Sequence, residues 1–208
     1  MWLKLRFHFV LFRPTVLDIT STPMEFCLFY QGKLKSRDGA AGKHMIRAAL
    51  DAQVRSICNS KICCHIFEPD WQNTRQASEL PMFVERNGKR FWFLISERLA
   101  ITANLNITIL VPHEVARIVN NGGDIDNRIK TLFDALRVPA ADSEIPANDS
   151  FDYAHGGMYC LLEDDKLINR ISIRSYQDHG SSEDDHVRCL IEVETRIIQA
   201  TWRNLNFV

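Results

Sequence analysis

Two stretches of this chain carry a helical period, and most other apolar segments read as strands. Ile46, Ala49, Leu50, Val54 and Ile57 recur at helical spacing and predict a helix over about 44–58. Ile129, Leu132, Phe133 and Leu136 stand at i, i+3, i+4 and i+7, a single apolar face, with Pro139 to stop a second helix. "MEFCLFY" (24–30), "LNITILV" (105–111), the segment at about 167–176 and "VRCLIEVETRII" have the length and patterning of strands. "RNGKR" (86–90) lies between "PMFVE" and "FWFLI", and its Asn-Gly supplies the positive φ angles of a tight hairpin turn. No regular βαβ series runs through these segments. The predicted class is therefore α+β, a small mixed sheet with two main helices packed on it.

With 208 residues, 46% of them hydrophobic, the chain can build one domain with a real core. The expected organisation is a single domain over 24–208, interrupted by a long exposed polar loop at about 139–157, "PAADSEIPANDSFDYAHGG". Residues 1–23 read as an N-terminal extension, either accessory or a mis-assigned start ahead of a natural beginning at Met24. Lys4, Arg6, His8 and Arg13 break up the apolar residues there, which argues against a signal peptide, and Leu3, Leu5, Phe7, Phe9 and Leu11 alternate as in a strand. No run of 18 apolar residues exists to form a membrane-spanning helix. The six cysteines include no Cys-x-x-Cys pair, and those of "KICCHIF" fit buried thiols better than a zinc site. The expected compartment is the reducing cytoplasm.

A net charge of −1 does not by itself mark a nucleic-acid binder, but the charge is unevenly spread. Residues 1–104 hold 15 Lys+Arg against 9 Asp+Glu, and residues 105–208 hold 10 against 17. A basic half could follow phosphates while an acidic half holds a cation, or the two could simply mix on the folded surface.

"GGDIDNRIKTLFDALR" (122–137) places Asp124 and Asp126 one residue apart, directly before the second helix. On an extended segment two such side chains project from one face, about 6–7 Å apart. Two like charges at that distance are costly unless a cation lies between them, and magnesium accepts a few carboxylates while keeping positions for water and phosphate oxygens. Asp126 stands where a helix N-cap belongs, and Lys130 lies one turn further on, able to meet the same phosphate. The plainer alternative is a cap with its i+4 salt-bridge partner. A second acidic element, Glu163, Asp164 and Asp165 in "LLEDDKLI" (161–168), lies between apolar pairs. If that turn folds against 124–126, a three- or four-carboxylate metal centre suited to phosphodiester hydrolysis results.

Taken in order, Asp124, Asp126, Asn127, Lys130, Phe133, Asp134, Ala135 and Leu136, followed by Asp164 and Asp165, resemble the motif of the RusA family of Holliday-junction resolvases. The resemblance covers about 122–138 and 161–168. It implies a RusA-like α+β endonuclease domain over 24–208. It also implies a homodimer that cleaves four-way DNA junctions with Mg²⁺, for which Mn²⁺ can substitute, in DNA recombination and repair. Carried over by position, Asp124, Asp126 and Asp165 are the expected essential carboxylates and metal ligands. Lys130 is the expected catalytic lysine, and Asp164 the less critical metal-side neighbour. An isologous dimer suits the task, because a two-fold junction needs two matching nicks.

Contacts to DNA phosphates are expected from Lys33, Lys35, Arg37, Lys43 and Arg47 in the basic loop and first helix, and from Arg128 beside the site. Arg55 is a further basic residue of that helix, and Trp71 and Trp92 read as core more readily than as stacking platforms. The rival readings are a relative that binds branched DNA without cutting it, a nuclease for other branched DNA, and a glycosyltransferase using Asp-x-Asp. The last lacks the nucleotide-binding βαβ series in this chain.

Overall fold

A computed structural model describes residues 23–36, 38–60, 63, 81–112, 125–180, 186–201, 203, 204 and 207. Asp124, Arg37, Trp71, the N-terminal extension up to residue 22 and most of "KICCHIF" lie outside the described residues.

The described chain is α+β, with two α-helices and two sheets among the described residues. Strand β1 (Glu25–Lys33) leads to helix α1 (Ala40–Cys58), then the hairpin β2 (Phe83–Arg86) and β3 (Lys89–Ile95), and the long strand β4 (Ile101–Val111). Helix α2 (Ile125–Leu136) follows, then β5 (Met158–Leu162), β6 (Ile168–Gln177) and β7 (His186–Ile197). The expected single sheet is in fact two: a four-stranded sheet in the order β1-β7-β4-β6 and a three-stranded sheet in the order β2-β3-β5. The β2–β3 turn has Asn87 at φ 49° and Gly88 at φ 70°, the left-handed pair that Asn-Gly accepts most readily.

The reason for two sheets is visible in the pairing. β3 runs parallel to β5, and β4, which continues β3, runs parallel to β6, which continues β5. A two-stranded parallel ribbon thus passes from one sheet into the other, and both of its strands turn at the same corner, 96–100 on one and 163–167 on the other. Sequence patterning within each strand says nothing about such a shared corner.

Alternation places Leu28 and Tyr30, Ile107 and Ile109, and Ile191 and Val193 on the inner face of the larger sheet, all buried. Helix α1 packs against β1, β5 and α2, burying Ile46, Leu50 and Val54. It begins four residues earlier than its apolar spacing predicts. Helix α2 ends at Leu136 before Pro139 can act, because Arg137 bridges to Leu162 and Val138 N–H donates to the Leu162 carbonyl at 3.0 Å.

The basic residues of α1 are structural, which corrects the expectation that they face DNA. Arg47 is 1% exposed. Its guanidinium donates to the carbonyl oxygens of Asp134 (2.8 Å) and Arg137 (3.0 Å), satisfying groups that the end of α2 leaves open. Lys43 donates to Asp134 Oδ2 at 2.6 Å, and Arg137 meets the other oxygen at 3.1 Å. Burial alone would raise the Asp134 carboxyl, but these two cations outweigh it and lower it. Arg55 pairs with Asp51, donates to the carbonyls of His155 and Gly157, and lies over the Tyr159 ring. Trp92 is buried, stacks on Tyr159 and donates to Gly156 O at 2.7 Å.

The 139–157 segment is a loop exposed over most of its length, as its polarity predicts, but a few of its side chains anchor it to the core. Ile145 is buried, Phe151 and Tyr153 pack on the core, and the Asp149 side chain is 2% exposed. Asp149 accepts from Lys89 Nζ (2.7 Å), Tyr153 Oη (2.6 Å) and Phe151 N (2.9 Å), with His44 Nε2 at 3.1 Å. Burial would raise this carboxyl, but Lys89, Tyr153 and the Phe151 N–H hold it down at about 2. Burial lowers the His44 imidazole, against the pull of Asp149.

Both groups bind fewer protons folded than unfolded, so both make stability fall on acidification. The His44 contribution is lost as pH drops below about 6.5, where the unfolded chain takes up a proton that the buried ring resists. The Asp149 contribution, about 2 kcal/mol from the gap between the ordinary 3.8 and about 2, is lost between pH 4 and 2. Asp149→Asn is expected to remove about 2 kcal/mol at pH 7 and to flatten the acid limb below pH 4. Urea unfolding followed across pH checks this, and an unchanged acid limb would rule it out.

Candidate active site

The acidic corner is built from both turns of the ribbon. Ser96 caps the 3-10 turn Glu97–Leu99, its Oγ accepting from Arg98 N–H at 2.9 Å, and the same hydroxyl donates to Glu163 Oε2 at 2.5 Å. Arg98 Nε meets Glu163 Oε1 at 3.1 Å, and Glu163 N–H donates to Ile95 O at 2.9 Å. Glu163 is thus used to fasten one turn to the other. Lys166 reaches Glu97 across the corner at 3.0 Å.

Asp164 caps the next 3-10 turn, Asp165–Leu167, accepting from Lys166 N–H at 3.0 Å. Asp165, the first residue of that turn, is exposed, and its side chain makes no hydrogen bond or ion pair among the described residues. Of three adjacent acids, two stabilise the corner and one points to solvent. The residues that do the holding, Ser96, Glu97 and Arg98, escape the sequence reading. A serine ahead of Glu-Arg is a recognisable short cap, but nothing in it indicates a partner 67 residues away.

Helix α2 packs against this corner turn. Asp126 and Lys130 are both exposed on α2, four residues apart and so on one face of it. The Lys130 side chain, like that of Asp165, makes no hydrogen bond or ion pair among the described residues. Ile125 is already helical, so Asp126 lies within the first helical turn and not at a cap on extended chain; the strand spacing expected for Asp124 and Asp126 does not apply to it. Arg128 is half-buried on the same helix. The structure therefore brings the helix that carries Asp126 and Lys130 against the turn that carries Asp165. Among the described residues no three His, Cys, Asp or Glu side chains gather to hold a metal ion, and the expected set includes Asp124, outside those residues.

Of the expected phosphate contacts, Lys33 is exposed at the end of β1 and Lys35 is exposed just beyond it. Lys43 and Arg47 are occupied in the α1–α2 contact. Among the described residues no helix is long and apolar enough to cross a membrane.

Comparison with protein-family models, curated proteins and solved structures gives no match to this chain.

Proposed function

We propose that the protein is a Mg²⁺-dependent endodeoxyribonuclease acting on branched DNA, with the four-way junction as its substrate and a homodimer as its working form. The observation that carries this reading is the packing of α2 on the acidic corner. It joins the segment bearing Asp126 and Lys130 to the segment bearing Asp165, two stretches far apart in sequence.

The donor set suits a hard divalent cation, because carboxylates are oxygen ligands of the kind magnesium takes. Asp126 and Asp165, with Asp124, would hold it. When bound, such an ion polarises a phosphoryl oxygen and lowers the pKa of a coordinated water. The chain's own residues do the rest. Lys130 places a positive charge one turn above Asp126, where it can neutralise a phosphate oxygen as charge develops on it. Asp164 keeps the corner turn in shape through its N–H cap and so fixes where Asp165 projects. Glu163, held by Ser96 and Arg98, keeps the two turns in register.

A synthetic four-way junction, incubated with the full chain in Mg²⁺ and separately in EDTA, tests this directly. Paired nicks in Mg²⁺ and none in EDTA are expected. Tight junction binding with no nicking in Mg²⁺ or Mn²⁺ would instead favour the non-cleaving relative.

A further inference from the structure

Resting on the nucleic-acid reading above, we propose that the open face of the four-stranded sheet is a platform for single-stranded DNA. On this platform Phe29 and Tyr176 stack on unpaired bases, and Lys33 and Arg174 take the phosphates.

The pairing register puts Phe29, Leu190, Thr108 and Arg174 in one row across all four strands, and Gln31, Arg188, Leu110 and Tyr176 in the next. Lys33 opposes His186 in the row beyond. These residues point away from the buried Leu28 and Tyr30, hence away from α1. A solvent face of a sheet is normally polar, yet here Phe29 is 48% exposed, Tyr176 51% and Leu190 39%. Large exposed rings and aliphatics gathered on one face mark a binding surface.

The chemistry of the strip favours nucleotides. The two rings stand on the two outer strands in adjacent rows, about 16 Å apart from three strand spacings across and one two-residue step along. Arg174 is exposed and unpaired among the described residues, whereas Arg188 is taken by Asp178 at 2.7 Å. The carboxylates of this face, Glu25, Glu192 and Glu194, lie in the rows nearer the start of β6, and Glu194 is held by Asn104, Arg170 and Arg196. Exposed rings flanked by cations are what a sequence-tolerant single-strand site needs, and Glu192 borders this strip in the row next to Phe29 and Arg174. A duplex keeps its base faces stacked and cannot offer them to a flat sheet. A second copy of the chain is the weaker occupant: three large apolar side chains fall well short of the roughly 800 Å² per partner that a stable dimer buries. The strip also lies along the strand that leaves the corner, since β6 starts three residues after Asp165. Unpaired nucleotides at a branch held there would lie along this face.

The test is fluorescence anisotropy of the full chain in EDTA with a labelled oligo-dT of about 15 nucleotides and a duplex of equal length. The wild type is expected to prefer the single strand. Phe29→Ala and Tyr176→Ala should each weaken binding about tenfold, within the range of a stacked base, while Tyr176→Phe retains it. Lys33→Gln and Arg174→Gln should each reduce the salt slope by about 0.7. Undiminished oligo-dT binding by the folded alanine variants overturns the proposal. So does no oligo-dT binding by the wild type, or a change of oligomeric state in those variants with binding intact, which would assign the face to self-association. Because EDTA removes cutting from the readout, a protein that never nicks a junction yet binds oligo-dT through these rings leaves this inference standing and fails only the nuclease reading.

Discussion

Asp126→Asn is expected to lower Mg²⁺-dependent junction cleavage by about three orders of magnitude while leaving the fold and the junction affinity in place. Asp126 is exposed in the first turn of α2, so the amide removes no packing. Its expected role is that of an anionic oxygen donor, and loss of several kcal/mol of charge stabilisation at the reacting phosphate corresponds to a factor of that size. Removing a negative charge that would face the phosphate backbone should hold or tighten DNA binding. Asp165→Asn should behave in the same way. Asp164→Asn should not, because asparagine caps as well as aspartate and the turn that carries Asp165 survives. Single-turnover nicking beside anisotropy measures both halves. Full cutting by Asp126→Asn would remove the basis of the assignment.

Arg47→Met is expected to cost about 3–4 kcal/mol in stability. Methionine fills much of the volume but leaves the carbonyls of Asp134 and Arg137 without the guanidinium that satisfies them, each a loss of roughly 1–3 kcal/mol. It also removes the 3.4 Å contact with His44 Nδ1. Urea denaturation gives the value. The same variant decides between two roles for the residue. A DNA-contacting arginine would weaken binding at unchanged stability, whereas the clamp between α1 and α2 loses stability first. A midpoint within experimental error of the wild type would return Arg47 to the surface.

Both helices, the Asn-Gly hairpin and strands β1, β4, β6 and β7 follow from apolar period and turn chemistry, because these are local properties of the chain. Strand β5 is not marked as a strand by its pattern. The edges of elements were less legible. Helix α2 stops at Leu136, not at Pro139, because a bridge to Leu162 draws Arg137 out of the helix. The 139–157 segment is exposed at most of its residues, as expected, but Asp149 within it is not. Asp149 is polar because it accepts hydrogen bonds inside the protein, where Lys89, Tyr153 and His44 converge on it. Arg47 and Lys43 mislead in the same way, since a charge in a sequence does not say whether its partner is water, phosphate or a carbonyl on another helix.

The sequence by itself determined the α+β class, the amphipathic helix with Asp126 and Lys130 one turn apart, and the acidic turn ending at Asp165, since spacing of a few residues is enough to define each. Only the tertiary structure decided that the strands divide into two sheets sharing a corner. It also decided that α2 packs on that corner and that Glu163 and Asp164 build the turn while Asp165 projects from it. Those outcomes depend on pairings between residues tens of positions apart, whose free energies come from burial and hydrogen bonds that no local pattern records.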